Sequence, residues 1–253
     1  MRPRINYLAI VTFYVIAIAL RYLTNKTQLL DGLTNDFLRI VLRAAGPAAG
    51  ALLACVLFKI KPVLSLKGNY KNIALPILLY WGLPIALITG AEFFTKGTIP
   101  VVTVFAILVY GLLEEIGWRG FLQQELKGLP PFLTVLIVAT LWFVWHLNFK
   151  ITGSNLLFFG ILILGSWGIG KVADSTHSLL AVAALHSLNN FFAQLDTMKI
   201  TILVVCLFTW VISLVVRKGT LRKQQLAFVQ RQDGLEKRGC LTKRIQQVSP
   251  VLF

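Results

Sequence analysis

The sequence predicts an all-α protein, a polytopic bundle of about eight transmembrane helices. Three observations predict it. Hydrophobic residues make up 57% of the 253 residues and charged residues only 14%, where a soluble domain carries roughly 45–50% and about 25%. The apolar residues lie in continuous runs, not in the apolar–polar alternation of a membrane β-barrel. The net charge of +15 sits at the ends of those runs and in one C-terminal stretch. That is the distribution of topology signals and anionic-lipid contacts, not of a nucleic-acid surface. Soluble, disordered and disulfide-framed chains are excluded on the same grounds. Cys55, Cys206 and Cys240 are far apart in sequence and form no zinc or disulfide pattern.

The runs cover about 6–23, 40–58, 73–90, 100–113, 132–149, 156–172, 178–195 and 200–216. Each is near the length that crosses a bilayer, and in lipid only a helix satisfies its own backbone. The first run starts after Arg2 and Arg4 and contains Ala17-Ile-Ala19. Its apolar stretch continues through Leu20, Tyr22 and Leu23, so it reads as a retained span and not a cleaved signal. In the second, Gly46 and Gly50 form a GxxxG spacing that lets two helices approach closely. The fourth is short unless it continues as a helix through Glu114–Leu126. Even-numbered connections carry Lys59, Lys61, Lys67, Lys71, Arg119, Lys127 and Lys171. Odd ones carry Arg21, Lys26, Lys96, Lys150 and Lys199. Arg39 and Arg43 dilute the bias, which still favours both termini in the cytosol. Residues 1–216 thus read as the membrane domain. Residues 217–253, with nine Lys and Arg, read as a basic cytosolic tail, partly disordered.

Ionisable groups inside membrane segments are costly and usually functional. Glu114 and Glu115 end the fourth run, His146 lies in the fifth, and His186, Asn189 and Asn190 lie in the seventh. His177 sits in a polar connection and reads as a bystander. Within one helix Glu115 and Arg119 are four apart and can pair. Glu114 lies about 100° around the helix, free to project into a cavity as a base. His146 follows an aromatic run and needs a partner for its ring. His186 and Asn190 share a helix face; Asn189 points elsewhere. Taken singly, the Glu114–Arg119 stretch also reads as the start of a cytosolic loop helix, His146 as a core histidine bonded to a backbone carbonyl, and His186 with Asn190 as interhelical hydrogen bonding. Together, carboxylates, imidazoles and an amide on three spans suit hydrolysis of an acyl bond: a carboxylate and histidines to activate water or hold zinc, and an amide to bind an oxyanion. Gly-x-Ser-x-Gly and His-Glu-x-x-His are both absent, so neither a nucleophile elbow nor a zincin helix is present.

The ordered set Glu114-Glu115-x-x-x-Arg119, Trp142-x-x-x-His146 and His186-x-x-x-Asn190 resembles the CAAX protease and bacteriocin-processing family of intramembrane proteases, also called type II CAAX prenyl endopeptidases. The resemblance covers about 110–195, within a motif-bearing core of about 100–195. The family pattern usually has Phe four residues before the first histidine; Trp142 stands there in this chain. The resemblance implies that Glu114 and His146 activate water, that Glu115 and Arg119 organise the site, and that His186 and Asn190 position the water or stabilise the oxyanion. It leaves the metal open. Glu114, His146 and His186 are the candidate ligands for a divalent ion such as zinc, and a metal-free glutamate mechanism is the alternative. The implied partners are a peptide or protein substrate, prenylated or membrane-anchored, and membrane lipids, with no nucleic acid. The composition and short loops read as those of a bacterial cell-membrane protein. Two other classes compete: a non-catalytic bacteriocin-immunity or scaffolding protein of the same fold, and a proton-coupled transporter. The second would distribute its polar groups over two halves, whereas here they crowd into runs four to seven.

Overall fold

The computed structural model describes residues 5–68, 70–99, 101–191, 197–206, 208–209 and 212; the side chains of 70–72, 76, 189 and 191 are not described. The basic tail, Cys240, Arg2, Arg4, the Asn189 side chain and most of the eighth run beyond Cys206 lie outside these residues. The helical bundle is the unit Met1–Cys206.

Among the described residues ten helices follow one another: α1 Tyr7–Lys26, α2 Asp36–Phe58, α3 Tyr70–Ile77, α4 Leu83–Lys96, α5 Val101–Glu115, α6 Gln123–Glu125, α7 Pro131–Trp145, α8 Gly153–Thr176, α9 Leu179–Phe191 and α10 Thr197–Cys206. π-helical segments join α3 to α4 (Leu78–Gly82) and α5 to α6 (Ile116–Leu122). No strand occurs among the described residues. Asn6, Asn35 and Thr152 cap α1, α2 and α8, each side chain accepting a backbone N–H of the first turn, which satisfies a donor the helix cannot use itself.

Among the described residues, each of the eight apolar runs overlaps a helical segment. Five are long and apolar enough to cross a membrane: Tyr7–Lys26, Asp36–Phe58, Ile73–Lys96, Val101–Glu125 and Gly153–Thr176. The fourth run does continue through Glu125, as its length required. Among the described residues the apolar helices of runs five, seven and eight span fewer than 18 residues. For α7 the limits are local: Pro131 starts it, and Leu147 with φ +54° follows its end. Its 15 residues extend about 22 Å at ~1.5 Å per residue, less than the ~30 Å hydrocarbon core.

Small residues set the closest packing. A Cβ on Gly46 would lie 2.7 Å from the Ala17 carbonyl oxygen, and one on Gly50 would lie 2.4 Å from that of Phe13. The glycine pair thus brings α2 onto the backbone of α1. On the other side of α2, Pro47 meets Gly117 of the second π segment, where a Cβ would be 2.5 Å from the Pro47 Cβ. Phe13, Trp118, Phe121 and Trp145 fill the centre. α5 also packs on α9, and α7 on α8. The loop after α2 is tied to the α8–α9 turn, with Ser65 N donating to His177 O (3.2 Å), Leu179 N to Ser65 O (3.0 Å) and Ser178 Oγ to Leu66 O (3.1 Å). His177 therefore serves through its backbone carbonyl, and its side chain is exposed.

Candidate active site

Glu114 and Glu115 are the last residues of α5, and both are buried. The π segment begins immediately after them. Its wider turn, a feature frequent at functional sites, carries Trp118 and Arg119 into the core, both fully buried.

Glu115 ties the site together. Arg119 Nη1 donates to Glu115 Oε1 at 2.7 Å, and His186 Nδ1 lies 2.5 Å from the same oxygen. A carboxylate only accepts, so the His186 Nδ1–H donates and the neutral ring keeps its lone pair on Nε2. That nitrogen is 3.8 Å from Glu114 Oε2. One carboxylate thus connects α5, the π segment and α9, and orients the imidazole as an outer carboxylate orients a functional histidine. Arg119 Nε and Nη2, and Asn190 Nδ2 one turn after His186 on α9, are buried and lack a hydrogen-bond partner among the described residues.

Glu114 does not stand free, as its helix position suggested. Trp142 Nε1 donates to its Oε2 at 2.8 Å, and Trp118 Nε1 reaches the same oxygen at 3.3 Å. The two indoles address one of the two carboxylate oxygens. The Tyr110 hydroxyl also interacts with Glu114. A carboxylate in an apolar interior needs such donors. Here they come from α5 four residues before it, from the π segment four residues after it, and from α7.

His146 lies just past the end of α7 and not within it. Its Nδ1 is 2.8 Å from the Trp142 carbonyl oxygen. Since a carbonyl only accepts, Nδ1–H donates and Nε2 carries the lone pair in the neutral ring. Trp142 packs against both imidazoles, with ring centroids 5.2 Å from His186 and 6.3 Å from His146. The Arg119 guanidinium lies 4.6 Å from the Trp142 ring centroid. A single indole therefore touches Glu114, Arg119, His146 and His186.

The structure thus brings together Glu114, Glu115, Arg119, His186 and Trp142, with His146 against the same indole. Sequence reading missed four contributors. Trp118 was visible as an aromatic four residues after Glu114, and Tyr110 as one four residues before it. Trp142 was noted for its ring and not for its N–H. Arg21 looked like a loop charge. It lies 4.1 Å over the Trp145 ring and donates to Tyr110 Oη at 3.4 Å, a contact between α1 and α5 that no spacing reveals. Among the described residues, no three His, Cys, Asp or Glu side chains are grouped to hold a metal ion, and Glu114 Oε2 is already taken by indole donors. As arranged, Glu114, His146 and His186 do not form a ligand set for zinc.

No curated protein matches the chain. Over residues 96–192, the segment that carries all three motifs, the chain matches the family described as type II CAAX prenyl endopeptidase, Rce1-like.

Proposed function

We propose that this membrane protein is an intramembrane endopeptidase whose base is Glu114. The reading rests on one observation above the others: Glu114, from α5, and His186, from α9, face each other at 3.8 Å inside a buried cluster supplied by three helices. In this reading Glu114 removes a proton from water as the water oxygen attacks the peptide carbonyl carbon. His146 Nε2, the acceptor nitrogen, orients the water through its second hydrogen. Asn190 Nδ2, a buried donor without a partner among the described residues, stabilises the developing oxyanion. Glu114 then passes its proton to the leaving nitrogen as the C–N bond breaks, giving a carboxylate and an amine. Glu115 and Arg119 hold His186 in register. No step passes through a metal; zinc binding by Glu114, His146 and His186 would require these groups to rearrange.

The family description supplies the substrate class in this reading: the C-terminal CAAX segment of a prenylated, membrane-anchored protein. A bacterial cell membrane with both termini cytosolic is the setting read from composition and charge bias. A reporter fused after Phe253 that is active only outside the cytosol would reject that orientation.

The decisive test compares purified wild type with Glu114→Gln, on peptides found by proteomics to be cut only in membranes that contain the wild type. The expected result is an unchanged unfolding temperature with turnover reduced about 10²–10⁴-fold, the usual effect of removing a general base. Full turnover by Glu114→Gln would remove this mechanism, and a folded chain that cuts nothing in either form would favour the scaffold reading.

A further inference from the structure

Between the first half of α7 and the second half of α8 lies a cavity of about 500 Å³ that shares no residue with the Glu114 cluster. This is the size of a small-molecule site. Its walls are mostly apolar, and Phe132 and Trp167 on its rim are 75% and 58% exposed, so it opens on the apolar outer surface. Its polar groups are few and placed unequally. Asp174 Oδ1 accepts from Gln123 Nε2 at 3.3 Å and pairs with Lys127 Nζ at 3.4 Å. Lys171 is exposed and has no ion-pair partner among the described residues. Two lysines against one aspartate leave one uncompensated positive charge. Ser166 also lines the cavity; it is 3% exposed, and its Oγ has no hydrogen-bond partner among the described residues. It stands five residues before Lys171, about 7.5 Å along the helix at ~1.5 Å per residue.

A groove that served only to contact hydrocarbon would have no use for a buried, unsatisfied hydroxyl, which costs free energy in an apolar setting. Both groups line the cavity, the cation exposed and the hydroxyl buried, an order that suits a ligand with a charge at the surface and an uncharged acceptor deeper in. We infer that this cavity is a binding site for an anionic phospholipid. The phosphate lies against the Lys171 and Lys127 ammonium groups, and an acyl ester carbonyl accepts from Ser166 Oγ–H. The acyl chain follows the apolar walls. A zwitterionic lipid offers the same chain but brings its own cation beside Lys171. A fatty acid has no ester below its charge. Lys127, in the connection before α7, and Lys171, near the C-terminal end of α8, lie at the ends that the charge bias assigns to the cytosolic side, where anionic lipids attract basic groups. The site is independent of the chemistry at Glu114.

The test uses the full chain in nanodiscs of phosphatidylcholine and phosphatidylglycerol in equal parts, with bromine on the acyl chains of one lipid or the other to quench nearby indoles. Wild type should be quenched more when phosphatidylglycerol carries the bromine, and Trp167→Phe should remove that difference. Lys171→Ala, outside the candidate active site, should reduce the preference about fivefold, and Ser166→Ala should reduce it less. Equal quenching of wild type by both lipids, or an unchanged preference in Lys171→Ala, would overturn the proposal. Relief of the quenching by a farnesylated peptide, but not by unbrominated phosphatidylglycerol, would also overturn it and assign the groove to a substrate chain.

Discussion

The indole nitrogen of Trp142 and the carboxylate of Glu114 are joined across two helices, with Nε1 donating to Oε2 at 2.8 Å. The same ring carries the Arg119 guanidinium and touches both imidazoles. A phenylalanine at this position would support the neighbours but could not donate.

Trp142→Phe therefore separates the ring from the N–H. A hydrogen bond to a charged group contributes ~1.5–3 kcal/mol to stability, so the unfolding temperature should fall, and loss of the same positioning contact should lower kcat about 10–100-fold with KM little changed. Steady-state kinetics on a cleaved peptide measures this. An unchanged kcat would reduce Trp142 to packing.

His146→Ala should lose turnover on the scale of Glu114→Gln, and the double variant should be little worse than either alone. Groups that act on one water are not additive. Additive losses in the double-mutant cycle would show that the two residues act in separate steps.

Arg119→Ala should destabilise the fold as well as abolish activity. Glu115 and Arg119 are both fully buried and joined at 2.7 Å. Removing one partner of a buried pair costs ~3–5 kcal/mol, because the other charge is left uncompensated. The expected result is a lowered unfolding temperature and poor expression, with Glu115→Gln/Arg119→Met recovering the fold but not turnover. Wild-type stability in Arg119→Ala would mean that water reaches this pair.

Gly117→Ala tests the packing of the π segment on α2. Its new Cβ would lie 2.5 Å from the Pro47 Cβ and 2.8 Å from the Pro47 carbonyl oxygen, with backbone on one side and a rigid ring on the other. Overpacking of this kind costs ~1–3 kcal/mol. Thermal unfolding in detergent should show the loss, and since Trp118 and Arg119 follow directly, activity should fall further than stability alone explains. Gly168→Ala, where nothing lies within 4 Å of the new Cβ, is the control.

The sequence by itself determined the class of fold and the positions of its helices, because continuous apolar runs leave a chain in lipid with no other way to satisfy its backbone. It also held the ordered motif triple and the one interaction set by helix geometry alone, the four-residue spacing of Glu115 and Arg119. Local signals reach only that far. The tertiary structure decided that a π segment follows Glu115 directly. It also decided that the carboxylate expected to be free is held by Trp142 and Trp118. His186 donating to Glu115 and Arg21 reaching Tyr110 are contacts between helices 71 and 89 residues apart. Such side chains meet where small residues let the helix backbones close upon one another, Gly46 and Gly50 between α1 and α2 and Gly111 beside Ala183 and His186 between α5 and α9, and no local periodicity carries that information.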